Sequence, residues 1–264
     1  MNCKNCNNTL KVTQKFCDEC GAKIIQNRLQ PKVLAQQVNE QFISIDNKFL
    51  RTFIDLFRQP DTVIIGYING TRKKYIDVLQ YFAISLTLAG IQVFLLTTFF
   101  KEALEFTPDF IKTMENMPDQ DVNPMAGYNP DFFTKYQGLL YILGVPVSAL
   151  ATWLVYYIFG NKRFNFTEHL VLNLYYSAQI IIITAVFSIL FLVTGMNYLI
   201  VSSLLGLPTF IYLGYVLKKI FKEDFLNTLA KFLIVMFFYF VLYGIIVMII
   251  FLVLFLSGNL NIYK

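Results

Sequence analysis

The chain has 264 residues, 56 % hydrophobic and 15 % charged, with a formal net charge of +5 and a mean hydropathy of +0.54. Soluble domains carry about 25 % charged residues, so a wholly soluble protein is excluded. The charges are also unevenly spread. No Asp, Glu, Lys or Arg occurs between Asp77 and Lys101, Lys135 and Lys162, Glu168 and Lys218, or Lys231 and Lys264. Apolar runs of roughly 18 residues or more read as membrane spans.

The chain opens MNCKNCNNTLKVTQKFCDECGAK, and all four cysteines lie here as Cys3-x2-Cys6 and Cys17-x2-Cys20. Two such pairs at short separation fit a tetrahedral site of four thiolates. The tight turns that present them want a residue tolerant of positive φ after the second cysteine, where Asn7 and Gly21 stand. Residues 1–25 are therefore expected to form a zinc ribbon holding one structural zinc ion on Cys3, Cys6, Cys17 and Cys20. Disulfides are the main alternative, disfavoured in a reducing cytoplasm. Iron is a lesser one, since tetrahedral sulfur suits either metal. Four cysteines close the shell, so no catalysis is expected of the site. Phe16 is the segment's only aromatic residue and there is no basic stripe, so nucleic acid is not an expected partner.

Residues 26–75 read as an amphipathic, interfacial helical linker. Pro31 followed by Val33, Leu34, Val38, Phe42 and Ile45 fits a first short helix. In residues 47–59, Phe49, Leu50, Phe53, Ile54, Leu56 and Phe57 share one helical face, opposite Lys48, Arg51, Asp55 and Arg58, and Pro60 ends the helix. Phenylalanine and leucine opposite arginine and lysine suit the membrane interface. Asn69-Gly70 marks a turn. Arg72, Lys73 and Lys74 stand at the mouth of the first span as topology anchors near lipid headgroups. The expected interface set is Phe49, Arg51, Phe53, Phe57, Arg58, Arg72, Lys73 and Lys74.

Residues 76–264 read as a five-span transmembrane domain. The spans are near 76–100, 136–160, 170–194, 198–217 and 229–257. The uncharged stretch after Glu168 is too long for one crossing of a bilayer about 30 Å thick at about 1.5 Å per residue, and Gly195-Met196-Asn197 divides it. The first 75 residues carry twelve Lys and Arg against six Asp and Glu, whereas loop 101–135 carries three lysines against seven acids. The positive-inside rule then puts the N-terminus in the cytoplasm and the C-terminus outside. Residues 1–30 lack the apolar core of a secretory signal. The expected location is a cytoplasmic (inner) membrane, with the lipid bilayer as first partner.

No charge falls in the middle of a span. Gln80, Ser85, Thr87, Gln92, Asn173, Ser177, Gln179 and Thr184 are the polar candidates. They read as helix-packing residues, with Gln92, Asn173 and Gln179 as a candidate polar path. Pro146 and Pro208, each after a glycine, suggest kinks of the kind transporter sites use. His169, the sole histidine, reads as a solvated imidazole beside the helix-start carboxylate of Glu168. Asp119-Gln-Asp121-Val-Asn123 begins like a calcium loop, but Pro124 and Pro130 stand where glycine and glutamate are required. Thr107-Pro108-Asp109 instead looks like a short helix start. No phosphate-binding loop, Ser–His–Asp set or paired carboxylates are found, so no enzyme is expected.

Cys3-Lys-Asn-Cys6 and Phe16-Cys17-Asp-Glu-Cys20-Gly21 resemble the zinc-ribbon head of a bacterial membrane-protein family known as domain of unknown function 3667. Phe49-Leu-Arg51-Thr52-Phe53, Arg58-Gln-Pro60, Gly66-Tyr67-Ile68 and Gly70-Thr-Arg72-Lys-Lys-Tyr75 are similar to that family's run before its first span. Asp18-Glu19 departs from the Pro-Asn often seen between the second cysteine pair. The layout also resembles Yip-type membrane proteins, which act in membrane organisation and trafficking. The resemblance implies an all-α polytopic membrane protein with a small N-terminal zinc ribbon. The leading functional expectation is a non-enzymatic inner-membrane protein whose head docks a protein partner or orders the membrane. The alternative is a transporter or channel for a small solute or lipid. The oligomeric state is left open.

Overall fold

A computed structural model describes residues 2–11, 13–22, 24, 30, 31, 48–104 and 130–256. The helices expected after Pro31 and after Thr107, and the Asp119 segment, lie outside the described residues. The chain divides into two compact units, Met1–Asn47 and Lys48–Lys264. The second half of the expected linker therefore belongs to the helical unit.

That unit contains α1 (Lys48–Arg58), α2 (Pro60–Ile68), α3 (Val78–Phe99), α4 (Pro130–Ile158), α5 (Phe166–Val193), α6 (Tyr198–Phe221) and α7 (Phe225–Leu256). Five of these, α3 to α7, are long and apolar enough to cross a membrane. Each matches an expected span within a few residues at most ends, and Gly195 makes the expected hairpin. Its φ is 80°, a left-handed conformation that glycine adopts without a Cβ clash. The protein is an all-helical, multi-pass membrane protein with a four-cysteine head.

Local chemistry sets the helix starts. Asp77 caps α3 by accepting from the Leu79 N–H at 3.0 Å. Asn165 and Glu168 form a capping box on α5, with bonds of 3.0 and 2.8 Å that satisfy two end donors. Pro60 ends α1 and also opens α2, where its missing N–H costs nothing.

α5 is the central helix. It packs on α3, α4 and α6, while α7 packs on α4 and α6. The α5 face toward its neighbours buries Leu172, Tyr175, Ala178, Ile181 and Ile182. Only 6 % of the most apolar stretch of α7 is buried, against 39 % for α5, so α7 leaves most of its surface outside the bundle. The 159–165 and 222–224 connections meet at one end: Arg163 Nη1 donates to Ile220 O at 3.4 Å and Asn161 Nδ2 to Glu223 Oε1 at 3.3 Å. Lys162, Arg163, Lys218 and Lys219 lie there, and this is the basic end. At the opposite end Leu96, Leu104 and Leu192 cluster with Tyr198.

Candidate functional site

The head is built from two copies of one turn. Cys3 N–H donates to Asn8 O at 2.8 Å and Asn7 N–H to Cys3 O at 2.9 Å; Cys17 N–H donates to Ala22 O and Gly21 N–H to Cys17 O, both at 2.9 Å. Asn7 (φ 61°) and Gly21 (φ 68°) are left-handed, as their positions after the second cysteines require. The turns aim all four Sγ atoms at one point, within 4.8 Å of one another. Across the two turns, Cys3 Sγ lies 3.7 Å from Cys20 Sγ and Cys6 Sγ 3.6 Å from Cys17 Sγ. Four sulfurs about 2.3 Å from a central ion have tetrahedral edges of about 3.8 Å. The donor set therefore fits a metal, and the cysteines are free thiols rather than disulfides.

Cys3 and Cys17 are buried with Leu10, against Ala22 and Ile24, while Cys6 and Cys20 face out. So small an apolar cluster gives the head little hydrophobic stabilisation of its own. Two of the thiols differ in acidity. The Asn5 side chain and the Ala22 backbone N–H hold Cys20 down, at about 6. The Asn8 backbone N–H pulls Cys6 down, but Cys20, burial, Cys17 and Cys3 together push it up to about 12.

In the helical unit α1 and α2 make an elbow pinned to the spans. Gln179 Nε2 donates to Phe53 O at 3.1 Å, Tyr212 Oη to Leu56 O at 2.9 Å and Tyr215 Oη to Arg58 O at 3.0 Å. The Leu56 and Arg58 carbonyls, in the last turn of the helix, otherwise lack intrahelical donors. Thr52, fully buried, accepts from Ile76 N–H at 3.1 Å. Tyr75 donates to Asp55 at 3.0 Å and Tyr67 to Asp77 at 2.9 Å, and burial pushes both phenols up. Of the expected interface set, Phe49 and Phe53 pack partly on the core, Arg51 is half-buried, and Phe57, Arg58, Arg72, Lys73 and Lys74 are exposed. Leu50 and Ile54 are exposed beside Phe57, so α1 buries its Thr52–Leu56 strip and presents an adjoining apolar strip. The Arg72 guanidinium sits 3.8 Å over the Tyr67 ring.

Gln92, Asn173 and Gln179 serve three different sets of partners. Gln179 accepts from Tyr81 as well as donating to α1, joining α1, α3 and α5. Asn173 donates to Thr152 Oγ1 at 2.9 Å and His169 O at 2.8 Å. Gln92 Nε2 lies 3.5 Å from Tyr198 Oη. The solvated reading of His169 is corrected: it is 1 % exposed, with Nδ1 3.1 Å from Thr152 Oγ1. Glu168 is spent on the capping box, and α4 covers the imidazole. Beside it Tyr156 stacks on Phe221 at 3.6 Å, and Lys231 pairs with Glu223 at 2.6 Å. Tyr156 Oη, Asn173 Oδ1 and Glu223 Oε2 are buried without a protein partner among the described residues.

Between α4, α5, α6 and α7 lies a cavity of about 520 Å³. Tyr141, Gly144 and Ser148 line it from α4, Tyr176 from α5, and Tyr239 and Tyr243 from α7. A second space of about 240 Å³ shares Gln137, Tyr141, Tyr198 and Thr209 with it and adds Gln92, Thr184 and Ser188. Sequence reasoning missed the cavity, because four distant segments build it; the glycine–proline pairs in α4 and α6 were its one local signal.

Neither the curated proteins nor the solved structures contain a match to this chain. The family resemblance does hold where the elbow is built: residues 46–90, from the start of α1 into α3, match the family model described as Protein of unknown function (DUF3667).

Proposed function

We propose that the chain is a non-enzymatic integral membrane protein of the bacterial inner membrane whose metal-braced head is a cytoplasmic docking module. The observation that carries this reading is the set of four thiols at tetrahedral spacing, within a unit compact apart from the spans. Four thiolates leave no position for substrate, so the ion braces a surface and performs no chemistry. Zinc is the ion proposed, since it needs no redox partner and favours this geometry. The basic end of the bundle supports a cytoplasmic N-terminus, because α3 starts there and Arg72, Lys73 and Lys74 precede it.

The test is a Cys3→Ser/Cys6→Ser double variant compared with wild type by cross-linking in cells. Loss of a reproducible cross-linked partner, with the spans still inserted and folded, supports docking. The same partners at the same yield in both proteins contradict it.

The cavity favours a second reading, a transporter for a small solute or lipid. Pro146 and Pro208 lie in α4 and α6, two walls of the cavity, and each removes a helical N–H from its wall. Flux in proteoliposomes that Pro146→Ala abolishes supports transport; absence of flux with every candidate solute contradicts it.

A further inference from the structure

The four helices α4, α5, α6 and α7 close a ring in which each packs on the next and α7 returns to α4. The ring encloses the larger space, lined by Tyr141, Tyr176, Tyr239 and Tyr243 with Gly144 and Ser148 between them. A Cβ on Gly144 would stand 3.6 Å from both Tyr239 Oη and Tyr243 Cε2, which is ordinary contact. Alanine therefore fits at Gly144, beside the stacked pair Tyr239 and Tyr243, whose centroids are 5.4 Å apart. A volume of about 520 Å³ falls within the range of ligand sites, about 300–1,000 Å³.

The lining defines the ligand. No Asp, Glu, Lys, Arg or His is among the described residues of either space. A charge placed there would be desolvated without a partner, at a cost of several kcal/mol or more. The larger space is mainly aromatic and aliphatic. The smaller one, toward the opposite end from the basic loops, offers Gln92, Gln137, Thr184, Ser188 and Tyr198. A molecule spanning both meets hydrogen-bonding groups at one end and rings at the other. At the basic end the ring is filled by Tyr156 stacked on Phe221, by His169, and by the Glu223–Lys231 pair. α7, the least buried wall, borders lipid.

We infer that this ring binds one uncharged amphiphile from the bilayer, a neutral lipid of the monoacylglycerol type. Its hydroxyl head sits among Gln92, Gln137 and Tyr198, and its chain lies over Tyr176, Tyr239 and Tyr243. The inference rests on the second reading above only for the role of the cavity; binding stands or falls by itself.

The experiment uses full-length protein in phosphatidylcholine nanodiscs, with a diazirine-bearing monoacylglycerol or a diazirine-bearing phosphatidylglycerol of the same chain length. Mapping of cross-linked peptides is expected to place the neutral probe on Tyr176, Tyr239 or Tyr243, about tenfold above the anionic probe. Gly144→Phe, which fills the space, is expected to remove that labelling, and Gly144→Ala to keep it. Labelling of the exposed α3 residue Phe94 reports an intact fold, and Thr209→Trp replaces Gly144→Phe if that variant loses it. Equal labelling by both probes, or ring labelling that survives both bulky variants, overturns the inference. Ring labelling without flux in proteoliposomes retires transport and leaves the binding site.

Discussion

The side-chain amide of Gln179 donates to the main-chain carbonyl of Phe53 at 3.1 Å, tying the central span to the helix that precedes the first one. The same amide accepts from Tyr81, so one side chain joins α1, α3 and α5. With Tyr212 on Leu56 and Tyr215 on Arg58, it makes α1 a fixed part of the membrane unit.

Gln179→Leu removes both bonds while nearly keeping the volume. Buried polar groups left unpaired cost about 1–3 kcal/mol, and bonds between helices in membranes average about 0.6 kcal/mol. The thermal midpoint in detergent should fall, and protease should cut between residues 48 and 76 sooner than in wild type. Unchanged cleavage would show that the elbow is held by packing alone.

Tyr75 and Asp55 give the elbow a pH dependence. Burial raises the folded phenol above its ordinary value near 10, as it does for Tyr67. A raised folded value means that the contribution is complete below the unfolded value and is lost as pH rises through the folded one. Wild-type thermal stability should therefore drop above about pH 10. Tyr75→Phe should be less stable at pH 8 and lose less on going to alkaline pH. Parallel curves for the two proteins would contradict the assignment.

Thr152 is the partner shared by His169 and Asn173, at 3.1 and 2.9 Å. Thr152→Val keeps the shape, leaves His169 Nδ1 without its partner and Asn173 Nδ2 with only its bond to His169 O, and should cost about 1–3 kcal/mol in unfolding experiments. Thr152→Ser should recover most of the loss. Equal stability of the Val variant and wild type would sink the claim that the hydroxyl matters.

The left-handed turns carry the metal fold. Asn7→Val places a β-branched residue at φ 61°, a strain of roughly 1–2 kcal/mol, whereas Asn7→Gly is strain-free. Competition with a chelating dye should show about tenfold weaker metal retention for Asn7→Val and wild-type retention for Asn7→Gly. A Val variant as tight as wild type would contradict the turn geometry.

What was legible in the sequence is what local pattern encodes. Uncharged runs located α3 to α7, and the cysteine spacing with Asn7 and Gly21 located the two turns. α2 was not legible, because Thr62-Val-Ile-Ile-Gly66 has no helical polar–apolar period. Its helix rests on Pro60 at the first position and on packing against α5 and α6. His169 follows a glutamate at a helix start, a pattern that looks solvated; its burial comes from Thr152 on another helix. The cavity is a property of four helices, and no single stretch carries it.

X-ray absorption at the zinc edge, on freshly isolated and reduced full-length protein, tests the central claim about the head most directly. The account predicts one zinc per chain with four sulfur neighbours at about 2.3 Å, lost in the Cys3→Ser/Cys6→Ser variant. A metal-free sample, or a shell with nitrogen or oxygen in place of sulfur, would contradict it.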